Sequence, residues 1–401
     1  MVIAVFKETW RHLIRHKKNR LVCVLALIGM VVYSGFLLPH QDDIHTIDLD
    51  KLEMSIHANK GIMDTAAEKE NFSVNLFTGR SAYVDGKLKY ENSRALLNAI
   101  ENGDVSRYLA ISRQYVPDFH REKQTEFYQK KSLFPDKDYF FDSMMYSKRL
   151  ESYPAEDLSF HVVQEKTAWQ QIQAFLSKWG PTVLVTLTLF IACDVFVLGI
   201  KKRTQHIGVP IAWGSYLFIQ SLAIIVFILV MLSTLAASFF IINGILYGFG
   251  SLNWPVVLFN YSEDFFFSEV SPFTLVSIGS FLAQALPFLI VFIYFFTRLS
   301  AFWSLIFKQE VVVFLAGLFT LLFEKLYFSR TTRDLLGIDI SYFPQTYFDF
   351  GKVMTGEKNY LLNTSTVTAG RGIVVVLVAV VCLELLLALA ARLRTRQTFI
   401  G

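Results

Sequence analysis

At 401 residues, with 53% of them apolar, 18% charged and a mean hydropathy of +0.41, this chain is far more apolar than a soluble domain, where roughly a quarter of residues carry charge. That balance excludes an ordinary soluble domain and places the chain in a bilayer. The net charge of +4 matters only through its position, because Lys and Arg in short loops orient a membrane protein.

Near the N-terminus Ile3, Phe6, Trp10, Leu13 and Ile14 recur at helical spacing, with Lys7, Glu8, Arg11, His12 and Arg15 largely on other faces. This predicts an amphipathic helix within residues 1–20, lying along a membrane surface with Trp10 and the basic residues among the headgroups. An apolar run at 21–38 is long enough to cross roughly 30 Å of hydrocarbon. Leu37-Leu38-Pro39-His40 offers no small-residue cleavage site, so the run is expected to remain as a first span.

Residues 39–179 form one long polar insert with 18 basic and 22 acidic side chains. Apolar residues at three-to-four spacing predict a mainly helical domain, large enough at this length to bury its own core. SAYVDGKLKYE carries an Asp85-Gly86 turn signal and predicts a turn or short hairpin. The densest polar string, with His40, Asp42, Asp43, His45, Asp48 and Asp50, could be a metal site. A solvated stalk just outside a span explains it better. The stretch 165–178 leads almost directly into the next span, predicting a nearly continuous helix that couples this domain to the membrane. Cys23, Cys193 and Cys382 all lie in apolar runs and are assigned to packing.

Further spans are predicted at 180–200, 212–243, 272–297, 309–328 and 372–391, six in all. The third is too long for one perpendicular crossing, so it should tilt, kink near Gly244 or pass beyond the membrane surface. Basic residues cluster before the first span, after the second (Lys201, Lys202, Arg203), between the fourth and fifth (Arg298, Lys308) and after the sixth (Arg392, Arg394, Arg396). By the positive-inside rule these places are cytoplasmic, as are both termini, and 39–179, 245–271 and 329–371 face outward.

Ionisable residues inside apolar spans are expensive and count as functional candidates. Asp194, seven residues before Lys201 at the expected cytoplasmic interface, suggests a bundle-facing ion pair. Glu384 stands in a similar relation to Arg392. Gln220 and Gln284 are read as interhelical hydrogen-bonding groups. No GxxxxGK[ST] phosphate loop occurs, and no hydrolase elbow, metalloprotease pair or dinucleotide fingerprint. The chain therefore carries no motif for an enzyme, and any ATP-driven motor must be a separate subunit.

The string FVLGIKKRTQHIGVPIAWGSYLFIQSLAI joins a basic segment to an apolar patch at Ile207 to Pro210 and then to Tyr216 in the third span. This resembles the permease subunit of ABC-2 type transporters. So do the surface helix before the first span, the six-span plan and the segment before the last span with its Phe-Pro-Gln-Thr-Tyr-Phe string. The resemblance implies an all-α polytopic fold in a bacterial plasma membrane, with a coupling segment at 201–213 and a re-entrant outer segment at 329–371. It also implies that Lys201, Lys202, Arg203, Thr204, Gln205, His206, Ile207 and Pro210 dock on a cytoplasmic ABC ATPase that binds ATP and magnesium. This chain would hold no cofactor, pair with a second copy, contact membrane lipid and bind no nucleic acid. The large insert at 39–179 departs from many family members and favours export of peptides, bacteriocins, antimicrobials or other amphiphiles. Two alternatives stand beside this one: a force-transmitting ABC subunit, and a sensor whose outer domain binds a peptide.

Overall fold

A computed structural model of the protein describes residues 2–40, 47–70, 72–74, 79–115, 139–153, 158–201, 212–262, 271–327 and 333–393. Helix α1 (Val2–Arg15) turns Val5, Thr9 and Leu13 inward at a spacing of four, and Thr9 donates its hydroxyl to the Val5 carbonyl at 2.9 Å. His16, with extended backbone, separates α1 from α2 (Lys17–Val32), which a π-helical turn lengthens to an apolar rod ending at Leu37.

Helices α3 (Leu49–Glu68) and α4 (Ala82–Glu101) form an antiparallel pair. After Ser81 the SAYVDGKLKYE string is entirely helical, contrary to the predicted turn. Ser81 caps α4 by accepting from the Val84 amide, and Gly86 faces the seam, where a Cβ would lie 3.3 Å from Ile62. The remaining elements of the polar domain are α5 (Val105–Ser112), α6 (Tyr139–Ser152), α7 (Phe160–Val163) and α8 (Ala168–Ser177). Val105, Leu109, Tyr146, Leu150, Tyr153, Val162 and Val163 make its core.

Between α8 and α9 (Gly180–Lys201) the chain breaks sharply at Lys178, where φ is −101° and ψ is −103°. Gly180 allows the two helices to remain close, because a Cβ there would lie 2.4 Å from the Phe175 carbonyl. The α8 N-terminus is held by the loop after the third span: Ala168 and Trp169 donate their amides to the Gly248 and Phe249 carbonyls at 3.0 and 3.2 Å. Gln170 ties the joint to the polar domain, donating to the Tyr153 hydroxyl and the Val162 carbonyl at 2.9 Å each.

Helix α10 (Trp213–Tyr247) runs 35 residues, roughly 52 Å, so it continues beyond the membrane surface. It ends at Gly248, and the Phe249 ring folds back over Gly244. Strands β1 (Pro255–Phe259) and β2 (Phe273–Ser277) then pair antiparallel, with Val257 opposite Leu275. This pairing takes up the residues predicted to begin the fourth span. Helix α11 accordingly starts later and ends later, at Ile278–Ile306, with Ser277 accepting from the Ser280 amide as its cap.

The predicted fifth span is broken into α12 (Glu310–Leu322) and α13 (Glu324–Tyr327). At 13 residues α12 covers roughly 20 Å, less than a hydrocarbon core. The break falls where the apolar run reaches Glu324 and Lys325. The return segment follows with strands β3 (Asp334–Leu335) and β4 (Ile338–Asp339), two 3-10 turns, α14 (Phe350–Met354) and α15 (Glu357–Leu362). Helix α16 (Ala369–Leu393) is the last described element.

Among the described residues, five helices are long and apolar enough to cross a bilayer: Lys17–Leu37, Gly180–Leu198, α10, α11 and α16. They alternate in direction. The starts of α2, α10 and α12 and the ends of α9, α11 and α16 share one end of the bundle, here called proximal. Lys18 reaches Asp194, Val5 packs on Tyr216 and Ile219, Gly214 faces Ala391, and Val313 packs beside Trp303.

Tryptophans mark both ends. Trp10, Trp213 and Trp303 lie proximally, whereas Trp169, Trp179 and Trp254 lie distally, as expected where amphipathic rings favour the two membrane interfaces. Helix α11 is central, its Phe281, Phe288, Phe292 and Phe296 fully buried. The return segment enters the core against it. Phe350 stacks on Phe288 at 5.6 Å, and Phe348 meets Phe292 and Phe296 edge-on. An irregular backbone is tolerated at this depth because it bonds internally: Tyr347 and Thr346 donate to the Ser341 and Ile340 carbonyls, each at 2.8 Å.

Candidate functional site

The proximal end gathers the charges that the apolar spans carry. Its geometry begins with the segment 201–213, whose two anchors it holds. Lys201 closes α9 and Trp213 opens α10, with Trp213 stacked on Tyr216 at 5.6 Å and both beside Val5 and Phe6 of the surface helix. Lys202, Arg203, Thr204, Gln205, His206, Ile207 and Pro210 lie outside the described residues, as does the side chain of Lys201.

Asp194, in the last third of α9, is 6% exposed. Its carboxylate lies 3.0 Å from the Lys18 amine and 3.7 Å from His16 at the α1–α2 junction. Lys18 also donates to the Phe190 carbonyl at 2.6 Å and sits 4.5 Å from that residue's ring centre. The described partners of Asp194 therefore come from the first span and its junction with the surface helix, as a bundle-facing ion pair.

Glu384 on α16 meets Arg298 on α11 in a bidentate pair, with Nε and Nη2 at 2.5 and 2.6 Å from the two carboxylate oxygens. Tyr294 donates its hydroxyl to the same carboxylate at 2.9 Å. The third guanidinium nitrogen donates to Ser221 on α10 at 3.0 Å, and the Phe218 ring lies 5.5 Å away. One buried side chain thus ties three spans together.

This corrects two expectations. Arg298 is not in a cytoplasmic loop but inside α11, 5% exposed, and Glu384 pairs with it rather than with Arg392. A fork of donors matched to a carboxylate offsets the desolvation that would otherwise expel an arginine from an apolar interior. Beside the pair a cleft of about 320 Å³ opens between α10 and α16, lined by Gly214, Phe218, Leu387, Ala388 and Ala391. Arg298 could have been found in the sequence, because the apolar run continues past it through Phe302, Trp303 and Leu305.

Gln220 and Gln284 bond within their own helices. Gln220 donates to the Tyr216 hydroxyl at 3.2 Å, and Gln284 reaches Ser280 only at 3.5 Å. In the string outside the first span, Asp48 caps α3 by accepting from the Lys51 amide, and His40 faces the Phe36 carbonyl. Asp42, Asp43 and His45 lie outside the described residues. No group of three metal-ligating side chains assembles among the described residues.

A second charged cluster, invisible to the sequence reading, lies at the distal end. Glu324 and Lys358, 5% and 2% exposed, pair at 2.5 Å. Lys352 stands 3.5 Å from Glu357 and 3.9 Å from Asp349. Burial raises the Asp349 carboxyl above its ordinary range, a shift that the neighbouring lysines oppose without cancelling. The Glu324–Lys358 pair fastens the return segment to α13, and the Lys352 pairs brace that segment internally.

Together the spans and the paired charges within them define an all-α, multi-pass membrane protein. No family model matches the chain, and no curated protein or solved structure is detectably similar to it.

Proposed function

We propose that this chain is the membrane-spanning subunit of an ATP-driven exporter of the ABC-2 kind, lying in a bacterial plasma membrane with both termini in the cytoplasm. The observation that carries this is the proximal end. The surface helix, the two anchors of segment 201–213 and three spans joined by Arg298 meet there, beneath the basic residues that mark a cytoplasmic face. Motion imposed on residues 202–211 would enter α10 at Trp213. Two turns further on it would reach Ser221, and through Arg298 it would pass to α11 and α16.

ATP and magnesium would be bound by a separate cytoplasmic ATPase, and two copies of this chain would enclose the path. The polar domain at 39–179 would face outward, consistent with a peptide, a bacteriocin or another amphiphile as cargo. The joint between α8 and α9, cross-tied through Gln170 and the Gly248 loop, also favours a second function in which motion is passed to the outer domain and nothing crosses. The sensor alternative gains no comparable support.

The deciding experiment replaces residues 202–211 by a Gly/Ser linker of equal length and measures ATP hydrolysis by the co-purified ATPase. Loss of ATPase binding or stimulation with normal membrane insertion is expected. Unchanged hydrolysis and binding would sink the exporter assignment. Vesicle export with the intact chain separates transport from force transmission.

A further inference from the structure

We propose that two copies of this chain associate through the distal half of α11, with their Gln284 carboxamides bonded to each other across a twofold axis. The proposal rests on the paired arrangement above and goes further by naming the surface. Helix α11 buries Phe281, Ala285 and Phe288 on one side, yet Ser280, Ala283, Gln284 and Pro287 stay exposed on the other. Gln284 lies six residues into a membrane-spanning helix, about 9 Å from its distal start.

At that depth lipid tails offer no hydrogen-bond partner, and a carboxamide has two donor hydrogens and an acceptor to satisfy. Ser280 at 3.5 Å meets little of that demand. Pro287 adds to it, because a proline has no N–H for the Ala283 carbonyl one turn earlier. Among the described residues, one exposed face thus concentrates donors and acceptors that the chain itself meets poorly.

A second copy answers both. A carboxamide is self-complementary, donating through nitrogen and accepting through oxygen, and an isologous interface brings each residue near its twin at the axis. Ser280 and Ala283 are small enough for close approach of two helices.

The test uses the full chain in native membranes. Gln284→Cys should form a disulfide-linked dimer on mild oxidation, whereas Val378→Cys, on the exposed face of α16, should not. In nanodiscs Gln284→Leu should weaken self-association about three- to tenfold, the scale of one or two interhelical hydrogen bonds in a bilayer, and Gln284→Asn should retain part of it. Cross-linking at Val378 but not at Gln284 would refute the surface while leaving a paired exporter intact. Monomers by mass in every variant would refute the paired arrangement as well. If Gln284→Leu abolishes export with self-association unchanged, the amide serves cargo and the proposal also fails.

Discussion

Arg298 and Glu384 meet in an apolar interior because each removes the other's reason to be in water. The guanidinium has donors for two carboxylate oxygens and one for Ser221, so its charge is compensated in three directions. Removing the Glu384 charge leaves the buried Arg298 charged without its counter-ion, Ser221 being a neutral partner. Glu384→Gln should therefore lower stability by about 3 kcal/mol, read as a fall in melting temperature in detergent. The double variant Arg298→Met with Glu384→Leu should recover more than half of that loss. Additive losses would show that the two groups are not coupled. At this scale Asp194 and Glu384 were legible as costly intramembrane charges, but their partners were not. Lys201 and Arg392 are near in sequence yet two turns away on a rod, whereas Lys18 and Arg298 are distant in sequence and adjacent in space.

Elements were legible where one periodicity runs uninterrupted, and failed where a neighbour decides the conformation. The spans at α10 and α16 were read nearly to their ends because nothing competes with helix there. Asp85-Gly86 carries a turn signal, but Ser81 caps a helix ahead of it and the bare glycine lets α3 approach. Residues 273–277 are apolar enough for a span and instead pair with β1, since Phe259 supplies a strand edge for Phe273.

The return segment depends most on such contacts. Gly356 holds φ at +79°, and a Cβ there would lie within 2 Å of the Phe259 carbonyl. Gly356→Ala should cost more than about 2 kcal/mol and expose residues 333–368 to protease, while Gly370→Ala, with open space around it, should be neutral. Equal protease resistance in both would contradict the close packing of this segment on β1.

For the molecule as a whole, alternating helix directions bring both described ends of the chain to the proximal side, α1 beside the start of α10 and Ala391 beside Gly214. If that side is cytoplasmic, an impermeant maleimide should label Asn102→Cys in intact cells but label Lys308→Cys only after permeabilisation. The reverse pattern would invert the protein in its membrane. Composition, the lengths of apolar runs and the placement of Lys and Arg were enough to define a multi-pass membrane protein with a large helical polar domain. Those properties are sums over local stretches of chain.

Sequence alone left open how a broken fifth helix, an irregular return segment and isolated charges could exist in hydrocarbon. Each is tolerated because a group of the protein supplies what water would have supplied: Lys358 to Glu324, the Tyr347 and Thr346 hydroxyls to the Ser341 and Ile340 carbonyls, and Arg298 to Glu384. Such partnerships depend on which helices become neighbours, so only the tertiary structure could decide them.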